Sequence, residues 1–451
     1  MKQLLQNLKN GQTLIADVPI PVLRPGTALV RSAASLVSAG TERMVVEFAE
    51  KSMLGKARSR PDLVRQTIDK ARREGVLSTL EAVFNRLDQP MALGYSSAGT
   101  IQAVGPGLQG FHPGDRVACA GGGYAVHAEY ALVPQNLLVH LPDNVDFDSG
   151  AFTTLGAIAL HGFRLAKPQL GEQVGVIGLG LLGLLAVGIA QAAGCQVFGV
   201  DLDARRVALA NQMGATAVLR LQAEQAAQAF SQGRGLDTIL ICADTSSNDP
   251  VELAGMLARD RANVVAVGAV GLSLPRKIYY EKELSFINSR SYGPGRYDPV
   301  YEEKGQDYPP GYVRWTEGRN LQAFVERSLK NLEVDALDDL GHRHRRRVLL
   351  QRDDLAVVVL DEQVGRAAAR GVWPGDAVDH HAVGEDERLA AGRALHARVL
   401  VEKAPRAVVV DPEVAVAEDH APAAAAAEVL RPGDLAAAGS HRKNRAQVAA
   451  A

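Results

Sequence analysis

The run Val174-Gly175-Val176-Ile177-Gly178-Leu179-Gly180-Leu181-Leu182-Gly183 constrains this chain more than any other stretch. An apolar segment of strand length passes into glycines and then into an apolar helical stretch, Leu181 to Ala193. From Val174 to Ala190 no side chain is charged or polar, which is also the composition of a membrane span. Glycines at 175, 178, 180 and 183, with Asp201 soon after, argue instead for a strand, a tight turn and a buried helix. Phe198-Gly199-Val200-Asp201 then ends a second strand on an acidic residue.

Each part of that series has a physical use. Gly178 permits the tight turn, Gly180 lets the backbone approach a pyrophosphate, and Gly183 lets the helix pack closely on the strand. Beyond Gly180 the helix start offers unpaired amides and partial positive charge to phosphates. The expected dinucleotide site comprises Gly178, Leu179, Gly180, Leu181, Leu182 and Gly183. Asp201 is expected to accept from the adenosine ribose hydroxyls and to repel an extra phosphate, so NAD is favoured over NADP. Arg205 and Arg206 keep NADP open as the lesser reading, or are solvated residues on the following helix.

The same alternation continues. Val174–Ile177, Gln196–Val200, Thr238–Ile241 and Asn263–Val267 are of strand length, with Leu181–Ala193 and Ala204–Met213 helical between them. Such alternation implies a parallel sheet covered on both faces. The first 150 residues differ: runs at Gln12–Val18, Thr27–Ala34, Gly99–Val104 and Asp115–Ala118 are punctuated by Gly and Pro, as in a small β-rich domain. Within it, about residues 43–90 read as a helical insertion, with Pro61 opening one helix and Ser78-Thr79-Leu80-Glu81 capping another. The expected fold is therefore α/β: a Rossmann-type parallel-sheet domain (151–290) beside a β-rich catalytic domain (1–150), to which residues 291–340 return.

Composition excludes several classes. A net charge of −2 gives no field to attract nucleic acid or an anionic membrane. Three widely spaced cysteines (Cys119, Cys195, Cys242) argue against a disulfide framework, and the N-terminus lacks a signal-peptide core, so a cytoplasmic protein is expected. Residues 341–451 contain no Ile, Met, Phe, Tyr, Thr or Cys but seven of the eleven His. A native core draws on those missing residues, so a mostly disordered, Ala-rich tail is expected there. Its residues are those of GC-rich codons, which a shifted reading frame would produce.

The order of parts resembles the medium-chain dehydrogenase/reductase superfamily, in which a GroES-like domain precedes the nucleotide-binding domain. Gly114-Asp115-Arg116-Val117, Ala128-Glu129-Tyr130 and Val264-Val265-Ala266-Val267-Gly268 carry the resemblance, and it adds Gly268 to the cofactor site. Ser38-Ala39-Gly40-Thr41-Glu42-Arg43, Leu87-Asp88-Gln89-Pro90 and Ser291-Tyr292-Gly293-Pro294-Gly295-Arg296 are similar to two-part oxidoreductases of bacterial polysaccharide biosynthesis. In that group a glucose–fructose-oxidoreductase-like domain follows; no second glycine fingerprint occurs after residue 341 here.

The resemblance implies a catalytic zinc in many members, yet Ser38 stands where the first Cys belongs and Gly94-Tyr95-Ser96 replaces Gly-His-Glu. No Cys occurs from Ala151 to Phe163, where a third ligand is implied, and His127 and His161 read as hydrogen-bonded structural residues. No zinc is expected. Stabilising charge on the reacting oxygen then falls to donors, for which Ser38, Thr41 and Tyr95 are the candidates, with Glu42 as a base or ribose ligand and Arg43 as the cation near Tyr95. The implied activity is hydride transfer between NAD(H) and a carbinol or carbonyl of a small molecule, with a nucleotide sugar as one candidate. The alternatives are a quinone or enone reductase and an NAD-binding but inactive product. A homo-oligomer is consistent with this reading, and no nucleic acid or membrane partner is expected.

Overall fold

The computed structural model describes residues 1–38, 40–52, 55, 56, 58 and 89–327, together with the backbone strands 346–350 and 355–359. The helices expected from Pro61 and Ser78 lie outside the described residues.

Strands β1 (Lys2–Asn7), β2 (Thr13–Asp17) and β4 (Pro90–Ala92) form one small antiparallel sheet. Six strands build a curled antiparallel unit: β3 (Thr27–Leu36), β5 (Ser96–Val104), β6 (Arg116–Ala120), β7 (Tyr130–Pro134), β8 (Leu138–His140) and, beyond the Rossmann unit in sequence, β16 (Leu355–Val359). β15 (Arg346–Leu350) extends it through β16, which runs parallel to β3 at Ala34–Leu36. These last two strands fall inside the segment expected to be unstructured; the remainder of that segment lies outside the described residues.

The second unit holds β9 (Gln173–Ile177), β10 (Gln196–Asp201), β11 (Thr216–Leu219), β12 (Leu236–Ile241), β13 (Ala258–Ala266) and β14 (Ser285–Asn288). All five pairings are parallel, in the order β11-β10-β9-β12-β13-β14. Counted within the unit this is 3-2-1-4-5-6, whose direction reverses between β9 and β12 and opens a crevice at their C-terminal ends. β9 and β12 are buried along almost their whole length, because a central parallel strand is covered on both faces and must be apolar throughout. The observed strands start up to five residues before the expected ones, since Ala258–Ala262 carries the charged Arg259, Asp260 and Arg261, the last two at exposed positions.

The units share one core. The helix Thr153–Ala166 is apolar on most of its circumference and packs against both. Gly156 makes room for the helix Glu317–Arg327: a Cβ there would sit 2.1 Å from the Phe324 ring. Asn136 donates to the Tyr301 carbonyl at 2.8 Å, so residues 291–327 return onto the curled unit. Among the described residues no helix is long and apolar enough to cross a membrane; the Val174–Ala190 run divides into β9 and the helix Leu181–Ala192.

Candidate active site

The glycine series occupies the crevice. Gly178 has φ +92° and its missing Cβ would lie 2.6 Å from the Ala243 amide, so backbone from β9 and β12 meets there. At Gly183 a Cβ would lie 1.8 Å from the Gly178 carbonyl oxygen, which fixes the helix against the turn. Gly180 is different: the nearest atom to its Cβ position is Arg206 Nη1 at 4.0 Å. Among the described residues nothing demands glycine at 180, and none fills the space above it. The helix Leu181–Ala192 begins at Gly180 with no side-chain cap, and Leu181 and Leu182 are half-buried, so its first amides face that space. Gly268 donates to Ile241 at 2.9 Å and its Cβ position is 2.2 Å from the Ala243 oxygen.

Asp201 ends β10 with its carboxylate already engaged. The Leu179 amide donates to Oδ2 at 2.6 Å and the Asp203 amide to Oδ1 at 2.9 Å. The two arginines separate: Arg205 pairs with Asp203 at 2.7 Å in the open, whereas Arg206 reaches towards Asp201 at 3.7 Å and the edge of Gly180. Arg205 is thus the solvated residue, and Arg206 borders the crevice.

The Ser38–Glu42 turn lies across from it. The helix α1 (Thr41–Glu50) starts after Gly40, and Glu42 folds back so that its Oε1 accepts from the Ser38 amide at 2.9 Å. Its Oε2 meets His127 Nε2 at 2.9 Å, and His127 Nδ1 meets Ser35 Oγ at 2.8 Å. His127 is fully buried and Glu42 is 3% exposed, so this network is sealed. Gly94, at φ +97°, lies directly over it, because a Cβ would be 2.6 Å from the His127 amide nitrogen. Ser38, Glu42 and Tyr95 are therefore brought around His127, with Thr41 half-exposed at the helix start. Tyr95 is anchored through its carbonyl, which accepts from the Gly121 amide at 2.9 Å and from Thr154 Oγ1 at 3.3 Å.

Two expectations change here. Glu42 is not open to a ribose or a substrate proton; both its oxygens are spent on fixing the turn. The side chain of Arg43 lies outside the described residues, so its expected role beside Tyr95 stays with the sequence alone. Sequence reasoning missed Ser35 and the partnership of His127 with Glu42, which are 85 residues apart. The reading of His127 as a hydrogen-bonded histidine is what the geometry gives.

The two sites adjoin. Asp244 follows Ala243, the residue against Gly178, and its Oδ2 comes within 3.5 Å of the Cβ position of Gly40. A zinc ion needs three or four correctly placed N, S or O ligands. Among the described residues no group of three or more His, Cys, Asp or Glu could hold a metal. Both ring nitrogens of His127 are committed to Ser35 and Glu42. Among the described residues the donor set does not fit a catalytic zinc.

Comparison with known proteins agrees with this architecture. The family model described as alcohol dehydrogenase GroES-like domain matches residues 68–143, and that described as zinc-binding dehydrogenase matches residues 182–303. Galactitol 1-phosphate 5-dehydrogenase of Escherichia coli (strain K12) is 30% identical over 40% of this chain and 60% of its own length. The chain thus spans less than two thirds of that relative. A protein of Aspergillus clavatus called "Probable D-xylulose reductase A" is 28% identical over 52% of this chain and 77% of its own. Among solved structures, galactitol-1-phosphate dehydrogenase from Escherichia coli superposes with TM-score 0.55 at 20% identity, covering 80% of this chain and 100% of that one. A protein of Sinorhizobium meliloti 1021 called "a putative zinc-binding dehydrogenase", solved bound to NADP, gives 0.54 at 19% identity, with 80% and 100% covered. The two family models match this chain in the order in which its two units occur.

Proposed function

We propose that this protein is a nicotinamide-dependent dehydrogenase that oxidises a carbinol of a polyol or sugar, or reduces the matching carbonyl, using NAD and no zinc. The observation that carries the proposal is the approach of the Ser38–Glu42 turn to the Gly178 loop through Ala243 and Asp244. Substrate and dinucleotide would meet where the two units adjoin, as ligands do at the switch point of such sheets.

A bound nicotinamide supplies the hydride acceptor. The chain's own part is to position and to stabilise. Leu181 and Leu182 present helix amides to the pyrophosphate. Asp201, held by the Leu179 and Asp203 amides, would hold the ribose hydroxyls and set the preference against a further phosphate. Ser38, Thr41 and Tyr95 donate hydrogen bonds to the substrate oxygen as its charge develops. Glu42 and His127 are positioning residues, since they fix the turn that carries Ser38 and Thr41.

The test is a titration with NAD and NADP, followed by assay of NADH formation across polyols, polyol phosphates and nucleotide sugars. NAD binding with turnover of one stereoisomer is the expected result. Binding of neither nucleotide would overturn the assignment. Activity lost to a chelator and restored by zinc would overturn the metal-free part alone.

A further inference from the structure

The return segment 291–327 buries three ionisable side chains that neither the dinucleotide crevice nor the catalytic turn uses. Arg296 Nη1 pairs with Glu302 Oε1 at 2.7 Å, and both residues are buried. Glu317 opens the helix Glu317–Arg327 and is fully buried. The Tyr301 hydroxyl donates to Thr316 Oγ1 at 3.0 Å and accepts from the Gly318 amide at 3.2 Å, which sets Glu317 against the short helix that carries Glu302. Among the described residues neither Glu317 carboxyl oxygen has a hydrogen-bond partner, and neither has Arg296 Nε. Two carboxyls thus share one buried cation, and Glu302 already holds it. With both ionised, the interior would carry an uncompensated negative charge, which costs more than keeping a proton. Burial, and then the Glu302 carboxylate, hold the Glu317 carboxyl well above the usual carboxylate range, against the pull of Arg296.

The other groups around it do not supply the missing charge. Arg319, on the same helix, pairs with Asp307. On the helix Thr153–Ala166, Arg164 bonds to Asn320, and burial and Arg164 hold His161 at about 4. Burial raises the Tyr124 and Tyr301 hydroxyls to about 12, and the bond to Asp298 does the same for Tyr308, so all three stay neutral. The rings of Tyr292 and Tyr297 lie against Arg296, and Glu303 and Arg314 are exposed to screening solvent.

A strained loop depends on this cluster. Ser291, Gly293, Gly295 and Tyr297 all have positive φ, and two of them carry side chains. Such backbone persists only where its surroundings hold it. Here the start of the Glu317 helix does so: the Glu317 amide donates to the Pro294 carbonyl at 2.8 Å, and Asn320 Nδ2 to the Tyr292 carbonyl at 2.7 Å. Tyr292 Oη lies 3.6 Å from the Cβ position of Gly121, whose amide donates to the Tyr95 carbonyl. The loop therefore backs the segment that carries Tyr95.

We propose that Glu317 is a proton-operated latch: as the neutral acid it closes the return loop 291–297 onto the curled unit, and loss of its proton favours the open loop. In an open loop Glu317 meets water and ionises near pH 4.3, as carboxyls of its kind do at about that value. The closed form keeps the proton to higher pH. Closure is therefore strongest below about pH 4.3 and weakens as pH rises through the closed-state value. The latch stands apart from the dehydrogenase reading, since neither substrate nor cofactor enters it.

Hydrogen exchange of the 291–297 amides in the full chain, corrected for the intrinsic rate at each pH, reads the opening without any ligand. Glu317→Gln keeps the shape and cannot titrate, so the ratio of wild-type to variant opening isolates Glu317 and cancels His161. That ratio is expected to rise by about tenfold or more between about pH 5 and pH 7. A ratio flat with pH overturns the latch. Glu302→Gln gives a second comparison that needs no change at Glu317 itself. It frees Arg296 to pair with Glu317, so opening is expected to rise less than in the wild type, by about threefold or more over the same interval. Parallel curves for those two proteins overturn the latch as well.

Discussion

The two halves of the candidate active site adjoin at Ala243 and Asp244 but are built by opposite means. The dinucleotide crevice is made of backbone: glycines that let chains touch, and helix amides left without acceptors. The turn at Ser38–Glu42 is made of side chains that reach Ser35 and His127 from distant strands. A backbone site fails when any atom is added at the wrong place. A side-chain site fails when one partner is removed.

The glycines offer the sharpest way to break this contrast, and the largest effect. Gly183→Val puts its Cβ into the Gly178 carbonyl, so destabilisation of about 4 kcal/mol or more is expected in urea unfolding. Gly180→Ala has φ −68° and open space, so stability is expected to move by less than about 0.5 kcal/mol while NAD affinity falls. Equal losses of stability in the two variants would show that the crevice does not divide into packing and ligand-facing glycines.

Glu42→Ala tests the other half. It strands the Ser38 amide and a buried His127 nitrogen, and each orphaned group costs about 1–3 kcal/mol. Thermal unfolding is expected to show that loss with NAD affinity intact, because none of the network touches the crevice. A matching drop in NAD affinity would mean that the turn and the crevice are one unit.

This contrast also explains what could be read without a structure. Gly178, Gly183 and Asp201 are close in sequence, and their roles follow from local geometry, so the four inner strands of the parallel unit are legible, whereas the short edge strands β11 and β14 are not. The Glu42–His127 pair joins residues 85 apart, and no spacing rule announces such a contact. β1 escaped notice because Lys2–Asn7 carries polar residues at buried positions: Gln6 is fully buried and satisfied by Thr13 Oγ1 and the Asn7 carbonyl. Trp315 was visible as an aromatic, but its two arginines are joined only once the helix Thr153–Ala166 is in place.

Asp201→Asn is the next smaller test. The amide keeps the acceptor geometry for Leu179 yet loses the charge, and charge-assisted bonds exceed neutral ones by about 1 kcal/mol or more. NAD affinity is expected to fall roughly fivefold to tenfold, and discrimination against NADP to relax, since Arg206 then borders the crevice without an opposing carboxylate. Unchanged discrimination would move the source of cofactor preference away from Asp201.

The most gradual effect, spread over more than two pH units, is a pH dependence at His161. Its folded pKa is held at about 4, by burial first and by Arg164 second, against about 6.5 in an unfolded chain. Between those values the unfolded chain binds the proton and the folded one does not, so stability rises with pH across that window. The contribution is complete above about pH 6.5 and is lost as pH falls towards about 4. His161→Gln removes this proton, and its stability is expected to fall less steeply with acid, by at most about 1.4 kcal/mol per pH unit. Urea midpoints for both proteins, measured across that window, read the difference directly. Parallel curves would mean that His161 takes its proton in the folded protein, and that Arg164 is not close enough to oppose it.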